Sequence, residues 1–62
     1  MKLNQFLKHK GLVSTGGEAK QLIISGLISV NGLVETRRGR QLGPGDLVCF
    51  DNQDFIVTHA DI

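Results

Sequence analysis

Apolar positions change their spacing once along the chain, from a helical period in the first third to a series of short strand-like runs afterwards. Leu3, Phe6 and Leu7 stand at i, i+3 and i+4. This puts them on one face of a short helix over Leu3 to about Lys10, with Asn4, Gln5 and Lys8 turned away. Gly11 is the expected stop, because glycine takes the left-handed conformation of a helix C-terminus without steric cost. Leu12 and Val13 then carry the chain back toward the core. Thr15-Gly16-Gly17-Glu18 has the spacing of a capping box, in which the hydroxyl accepts from the Glu18 amide and the carboxylate reaches back to Thr15. Ala19, Leu22 and Ile23 supply the buried stripe of this second helix, Lys20 and Gln21 point outward, and Gly26 closes it. Helices this short are marginal alone in water, so both require a surface to pack on.

The rest of the chain supplies that surface. Leu27 to Val30 and Leu33 to Thr36 flank Asn31-Gly32, and Asn-Gly between two such runs predicts a type I′ hairpin turn. Ile28 and Val30 share one face of their strand and Ser29 takes the other. A polar stretch from Arg37 to Gln41 follows, then Leu42 as a core anchor and a turn at Gly43-Pro44-Gly45-Asp46. Leu47 to Phe50 reads as a third strand, Asp51 to Asp54 as a turn, and Phe55 to Thr58 as a fourth strand. Helix, helix, then short strands makes an α+β domain, and 62 residues allow one domain over 1–62.

Composition removes several function classes. The single cysteine, Cys49, has no partner for an internal disulfide; it reads as a small buried hydrophobe and suits a reducing cytoplasm. His9 and His59 are far apart, with no Cys or His at metal-binding spacing, so no metal or cofactor is expected. Neither a signal peptide nor a membrane span is visible, which predicts a soluble, cytoplasmic protein. The aspartates are scattered over strand ends and turns without a general-acid or general-base partner, and no phosphate-loop or nucleophile-elbow motif occurs, so an enzyme is not expected.

Charge adds a positive indication. The net charge is +1, but all seven Lys and Arg residues lie between Lys2 and Arg40, where only Glu18 and Glu35 oppose them. The last 22 residues carry four aspartates and no Lys or Arg. A molecule polarised in this way offers its basic side to a polyanion. Arg37, Arg38 and Arg40 bring three forked guanidiniums within four residues, matched to phosphate oxygens, and Gly39 lets the loop approach a partner's backbone. The same loop could simply be solvated, and alone it does not separate RNA from DNA or an acidic protein. Gly16 and Gly17 stand at the positive end of the second helix, where free amides suit a phosphate, although Glu18 competes for them. Phe6, Phe50 and Phe55 lie in apolar runs and are expected in the core rather than as stacking platforms for bases.

The strings Glu18-Ala19-Lys20-Gln21-Leu22-Ile23, Gly26-Leu27-Ile28-Ser29-Val30-Asn31-Gly32 and Gly45-Asp46-Leu47-Val48 resemble the alpha-L RNA-binding motif. That is the domain type of ribosomal small-subunit protein four (the "S-four" domain), which also occurs in pseudouridine synthases, bacterial tyrosyl-tRNA synthetases and a ribosome-associated heat-shock protein. The resemblance runs from Lys2 to about Thr58 and looks like a small stand-alone bacterial member. It implies a helix pair packed on a small curved antiparallel sheet of about four strands. It also implies binding of structured RNA, ribosomal or transfer, with the ribosome or its precursors as the setting. Carried over by position, it adds Lys8, Lys10 and Lys20 as RNA-facing residues and supports the Gly16-Gly17 backbone. Many members place an arginine where this chain has Gly16, so one phosphate contact is missing and the burden shifts to Arg37, Arg38 and Arg40. The competing reading is a protein-interaction module that uses the acidic C-terminal half or an edge strand. No surplus apolar face is evident in the sequence, so a monomer is expected.

Overall fold

Both helices form where the apolar spacing puts them, and both end on glycine. In the computed structural model, which describes residues 1–61, α1 spans Leu3–His9 and α2 spans Gly16–Ile24. Each stops in a Schellman motif. Gly11 and Gly26 take φ of +73° and +79°, and the amides of Leu12 and Leu27 donate back to the carbonyls of Leu7 and Leu22 at 3.0 and 3.3 Å.

Their N-termini differ. α2 is capped from its own sequence: the Glu18 amide donates to Thr15 Oγ1 at 3.1 Å. The returning Glu18 carboxylate accepts from the Ser14 amide, one residue earlier than a strict capping box requires. α1 has no such cap. Its Leu3 and Asn4 amides donate instead to the carbonyls of Arg40 and Arg38, at 2.8 and 3.1 Å. The distant arginine loop therefore satisfies the donors that a helix start leaves open.

The strands β1 (Ile28–Val30), β2 (Leu33–Val34), β3 (Leu47–Phe50) and β4 (Gln53–Ile56) form one antiparallel sheet in the order β2-β1-β3-β4. The Asn31-Gly32 turn has positive φ at both residues, as type I′ geometry requires. β4 begins two residues earlier than the sequence pattern suggests. Asp51 and Asn52 both adopt positive φ and turn the chain in two residues, so Gln53 already pairs with Phe50. β2 stops at Val34 rather than Thr36, because Glu35 turns inward.

The inner sheet face carries Ile28, Val30 and Val48, which pack with Leu3, Phe6 and Leu7 of α1 and Ala19 and Ile23 of α2 into one core, joined by Leu42 and Val57. A side chain as fully buried as Phe6 or Leu7 contributes about 1.5–3 kcal/mol through apolar burial. Cys49 does not belong to this core: alternation about buried Val48 turns it to the outer face, where it is only partly buried. There it lies opposite Ser29 and Asp54, and a hydrogen bond with Asp54 helps to raise its pKa. Phe6 is fully buried as expected, whereas Phe50 and Phe55 are only partly so. Among the described residues, no helix is long and apolar enough to cross a membrane.

Candidate nucleic-acid interface

The basic loop is pinned from two directions. Its backbone caps α1, as described above, and the Arg40 amide closes a turn onto the Arg37 carbonyl at 3.2 Å. Its side chains converge on Glu35, which the inward turn after β2 buries to 7 % exposure. Arg37 grips that carboxylate side-on, with Nε donating to Oε2 at 3.0 Å and Nη2 to Oε1 at 3.2 Å. The Arg37 amide adds a third bond at 3.2 Å, and Arg40 Nη1 donates to Oε1 at 2.6 Å. These bonds, led by those from Arg37 and then Arg40, hold the Glu35 pKa down from 4.5 to about 2. The reciprocal bond raises the Arg37 pKa.

The three arginines of the loop are thus not equivalent. The Arg37 side chain remains 74 % exposed despite its partner, whereas that of Arg40 is 32 % exposed and serves mainly to hold Glu35. Arg38 is exposed and makes no ion pair among the described residues. Three guanidiniums against one buried carboxylate leave the loop at +2.

The helix residues divide in the same way. Lys8 on α1 and Lys20 on α2 are exposed and unpaired among the described residues. Lys10, at the end of α1, is committed elsewhere. Its Nζ lies 3.0 Å from Asp61 Oδ1 and 5.6 Å from the centre of the Phe6 ring, within cation–π range. Asp61 belongs to a short 3₁₀ turn, η1 (His59–Asp61), and is itself buried. It also accepts from the Thr58 amide at 2.9 Å and the Thr58 hydroxyl at 3.1 Å, and its Oδ1 lies 3.0 Å from His9 Nε2. The Thr58 amide and then Lys10 hold its pKa well below the usual carboxylate range.

Gly16 and Gly17 occupy the first turn of α2, exposed, with no acceptor for either amide among the described residues. Beside them lies an open groove of about 590 Å³, floored by Leu12, Val13, Leu22 and Phe50 and rimmed by Gly17 and Glu18. The structure therefore leaves Lys8, Lys20, Arg37, Arg38 and the Gly16-Gly17 amides available to a ligand. It gives Lys10 and Arg40 internal partners.

Glu35 and Asp61 escaped the reading from sequence. Glu35 had a usable signal: it is the only acidic residue between Glu18 and Asp46, set two and five residues before arginines. Asp61 had only a local one, the Thr58-to-Asp61 spacing of a capping turn, while its basic partners His9 and Lys10 are about fifty residues away. The acidic C-terminal half is also less available than its sequence suggests. Asp46 accepts from the Gly43 amide and from Asn31 Nδ2, at 2.8 and 3.1 Å, and the pair, Gly43 first, lowers its pKa.

Residues 1–58 match the family model described as the S4 domain. The chain is also similar to the protein of Schizosaccharomyces pombe named Small ribosomal subunit protein uS4m, at 44 % identity over 49 residues. That match covers 77 % of this chain and 15 % of the fission-yeast protein, so the chain spans only a small part of that relative's length.

Proposed function

The chain belongs to the S4-domain family, and from that premise we propose that it is a non-catalytic RNA-binding protein that grips a structured RNA through its backbone phosphates. The observation that carries this reading is the pair Arg37 and Arg38, exposed on a loop whose backbone is fixed to the start of α1. Fixed donors of this kind recognise phosphate positions rather than base identity. Lys8, Lys20 and the Gly16-Gly17 amides would supply the further contacts. The similarity to a small-subunit ribosomal protein favours ribosomal RNA over transfer RNA, and a role on the ribosome or its precursors. A cytoplasmic location and a monomeric state are part of the same proposal.

The protein-interaction alternative draws on a different feature. β2 is a two-residue edge strand whose Leu33 and Val34 are 75 % and 65 % exposed, and a partner strand could pair with it. A direct titration separates the readings. The parent protein and the variant K8E/K20E/R38E are titrated against a transcribed small-subunit ribosomal RNA junction and a duplex DNA of equal charge across a salt series. None of the three altered residues makes an internal ion pair among the described residues, so circular dichroism should show the variant folded. About four phosphate contacts predict a log–log salt slope near −3 to −4 for the parent and well over tenfold weaker binding by the variant. A parent that binds the RNA no better than the DNA near about 0.15 M salt would remove the RNA reading and leave the edge-strand one.

A further inference from the structure

Glu35 stands in the wrong place for a protein that only needs positive charge. It lies nearly buried inside the basic loop, and at any distance its carboxylate repels the phosphate that the loop would bind. Its geometry suggests a use. Arg37 meets it with the Nε–Nη2 edge, so two of the five guanidinium N–H bonds are spent and the other edge, Nη1 with the second Nη2 hydrogen, has no partner among the described residues. That free edge has the fork that pairs with two phosphate oxygens, and the side chain bearing it is 74 % exposed. Arg40 approaches the same carboxylate with Nη1, so Glu35 cannot swing out with Arg37. The backbone amide of Arg37 is also bound to Glu35 and fixes where the side chain departs.

We propose that Glu35 is a positioning residue for phosphate recognition: it holds one edge of the Arg37 guanidinium so that the other edge is presented, already ordered, to an RNA phosphate. The inference rests on the RNA-binding reading and deepens it. A long flexible side chain loses rotamer freedom when it binds, and here that freedom is lost on folding. Lysine could not do the same, since a point charge has no second edge to offer. Arg40 acts on Glu35 and not on the ligand.

The test turns on a sign. Glu35→Gln removes a negative charge from beside the ligand, so charge alone predicts tighter RNA binding. It also puts an amide donor against guanidinium donors and breaks the two-edged grip, so positioning predicts weaker binding. Against the small-subunit ribosomal RNA junction, E35Q should bind about threefold more weakly than the parent. Its salt slope should stay close to the parent's, because Arg37 keeps its charge and loses only its order. In an Arg37→Ala background the same substitution should be neutral or tightening, because only the charge effect remains. R37K keeps the charge without the fork and should lose about as much as E35Q; it also carries the test if E35Q fails to fold. E35Q or R37K binding as tightly as the parent overturns the inference while leaving the RNA reading intact. A parent that does not bind the RNA removes both.

Discussion

Two buried carboxylates organise the basic side of this molecule, and Arg37 on one and Lys10 on the other are left in opposite states. Glu35 and Asp61 are each less than a tenth exposed, and each gathers two basic side chains. At Glu35 the cation Arg37 remains 74 % exposed, whereas at Asp61 the Lys10 side chain falls to 32 % and lies over the Phe6 ring. Donor type does not set the exposure, since Arg40 on the same Glu35 is also 32 % exposed, but it decides what a held cation can still bind. A guanidinium has two edges and can serve a carboxylate and a phosphate together; an ammonium held between a carboxylate and a ring has little left to give. A basic residue is thus available for binding according to what its remaining donors face, and charge counted along a sequence does not report that.

Removing one cation from each carboxylate should separate the two most clearly. Arg37→Ala leaves Glu35 bound to Arg40 and should weaken RNA binding by about tenfold. Lys10→Ala leaves Asp61 bound to Thr58 and should change RNA affinity by no more than about twofold, while lowering the thermal midpoint. Filter binding and thermal melts of the two variants check the contrast, and equal losses of affinity would erase the distinction.

Acid should weaken both carboxylate sites through the same linkage. Both carboxylates have folded pKa values below their ordinary ones, Glu35 moving from 4.5 to about 2. Such a group contributes stability that is fully present above the unfolded value and is lost as pH falls through the folded value. The thermal midpoint should therefore drop as pH is lowered from about 4.5 toward 2. Asp61→Asn should flatten part of that decline and E35Q another part. A midpoint unchanged across this range would show that neither carboxylate is coupled to folding.

Only a small gain is expected from adding a cation that no carboxylate holds. At Gly16 nothing lies within 4 Å of an added Cβ and φ is not positive, so Gly16→Arg fits without strain. This arginine would be free to move and would sit at the positive end of the α2 macrodipole, so RNA affinity should rise by only about threefold. A gain well above tenfold would mean that orientation by a carboxylate adds little.

The elements were legible where short-range rules decide them. Gly11, Gly26 and Asn31-Gly32 act through backbone conformations that other residues avoid, and Thr15 reaches its acceptor within one turn. Boundaries were less legible. Asp51 and Asn52 adopt positive φ without a glycine, so the β3–β4 turn looked longer than it is. Cys49 looked buried because its neighbours are apolar, yet strand alternation turns it outward. The arginine loop was legible as chemistry. Its division into an exposed Arg37 held by Glu35, an Arg38 without an ion pair among the described residues and an anchoring Arg40 was not, since that depends on which way Glu35 turns.

Two glycine-stopped helices, an Asn-Gly hairpin and an α+β order follow from contacts within a few residues, and the concentration of basic residues before position 41 is composition alone, so all of these can be read along the chain. Folding in three dimensions is what sets β1 beside β3, caps α1 with carbonyls of the arginine loop, and closes Asp61 on His9 and Lys10 across the length of the chain. Those contacts join residues tens of positions apart, and their formation waits on the shared core that brings them together. The same closure decides which basic side chains are paired internally, Lys10, Arg37 and Arg40 among them.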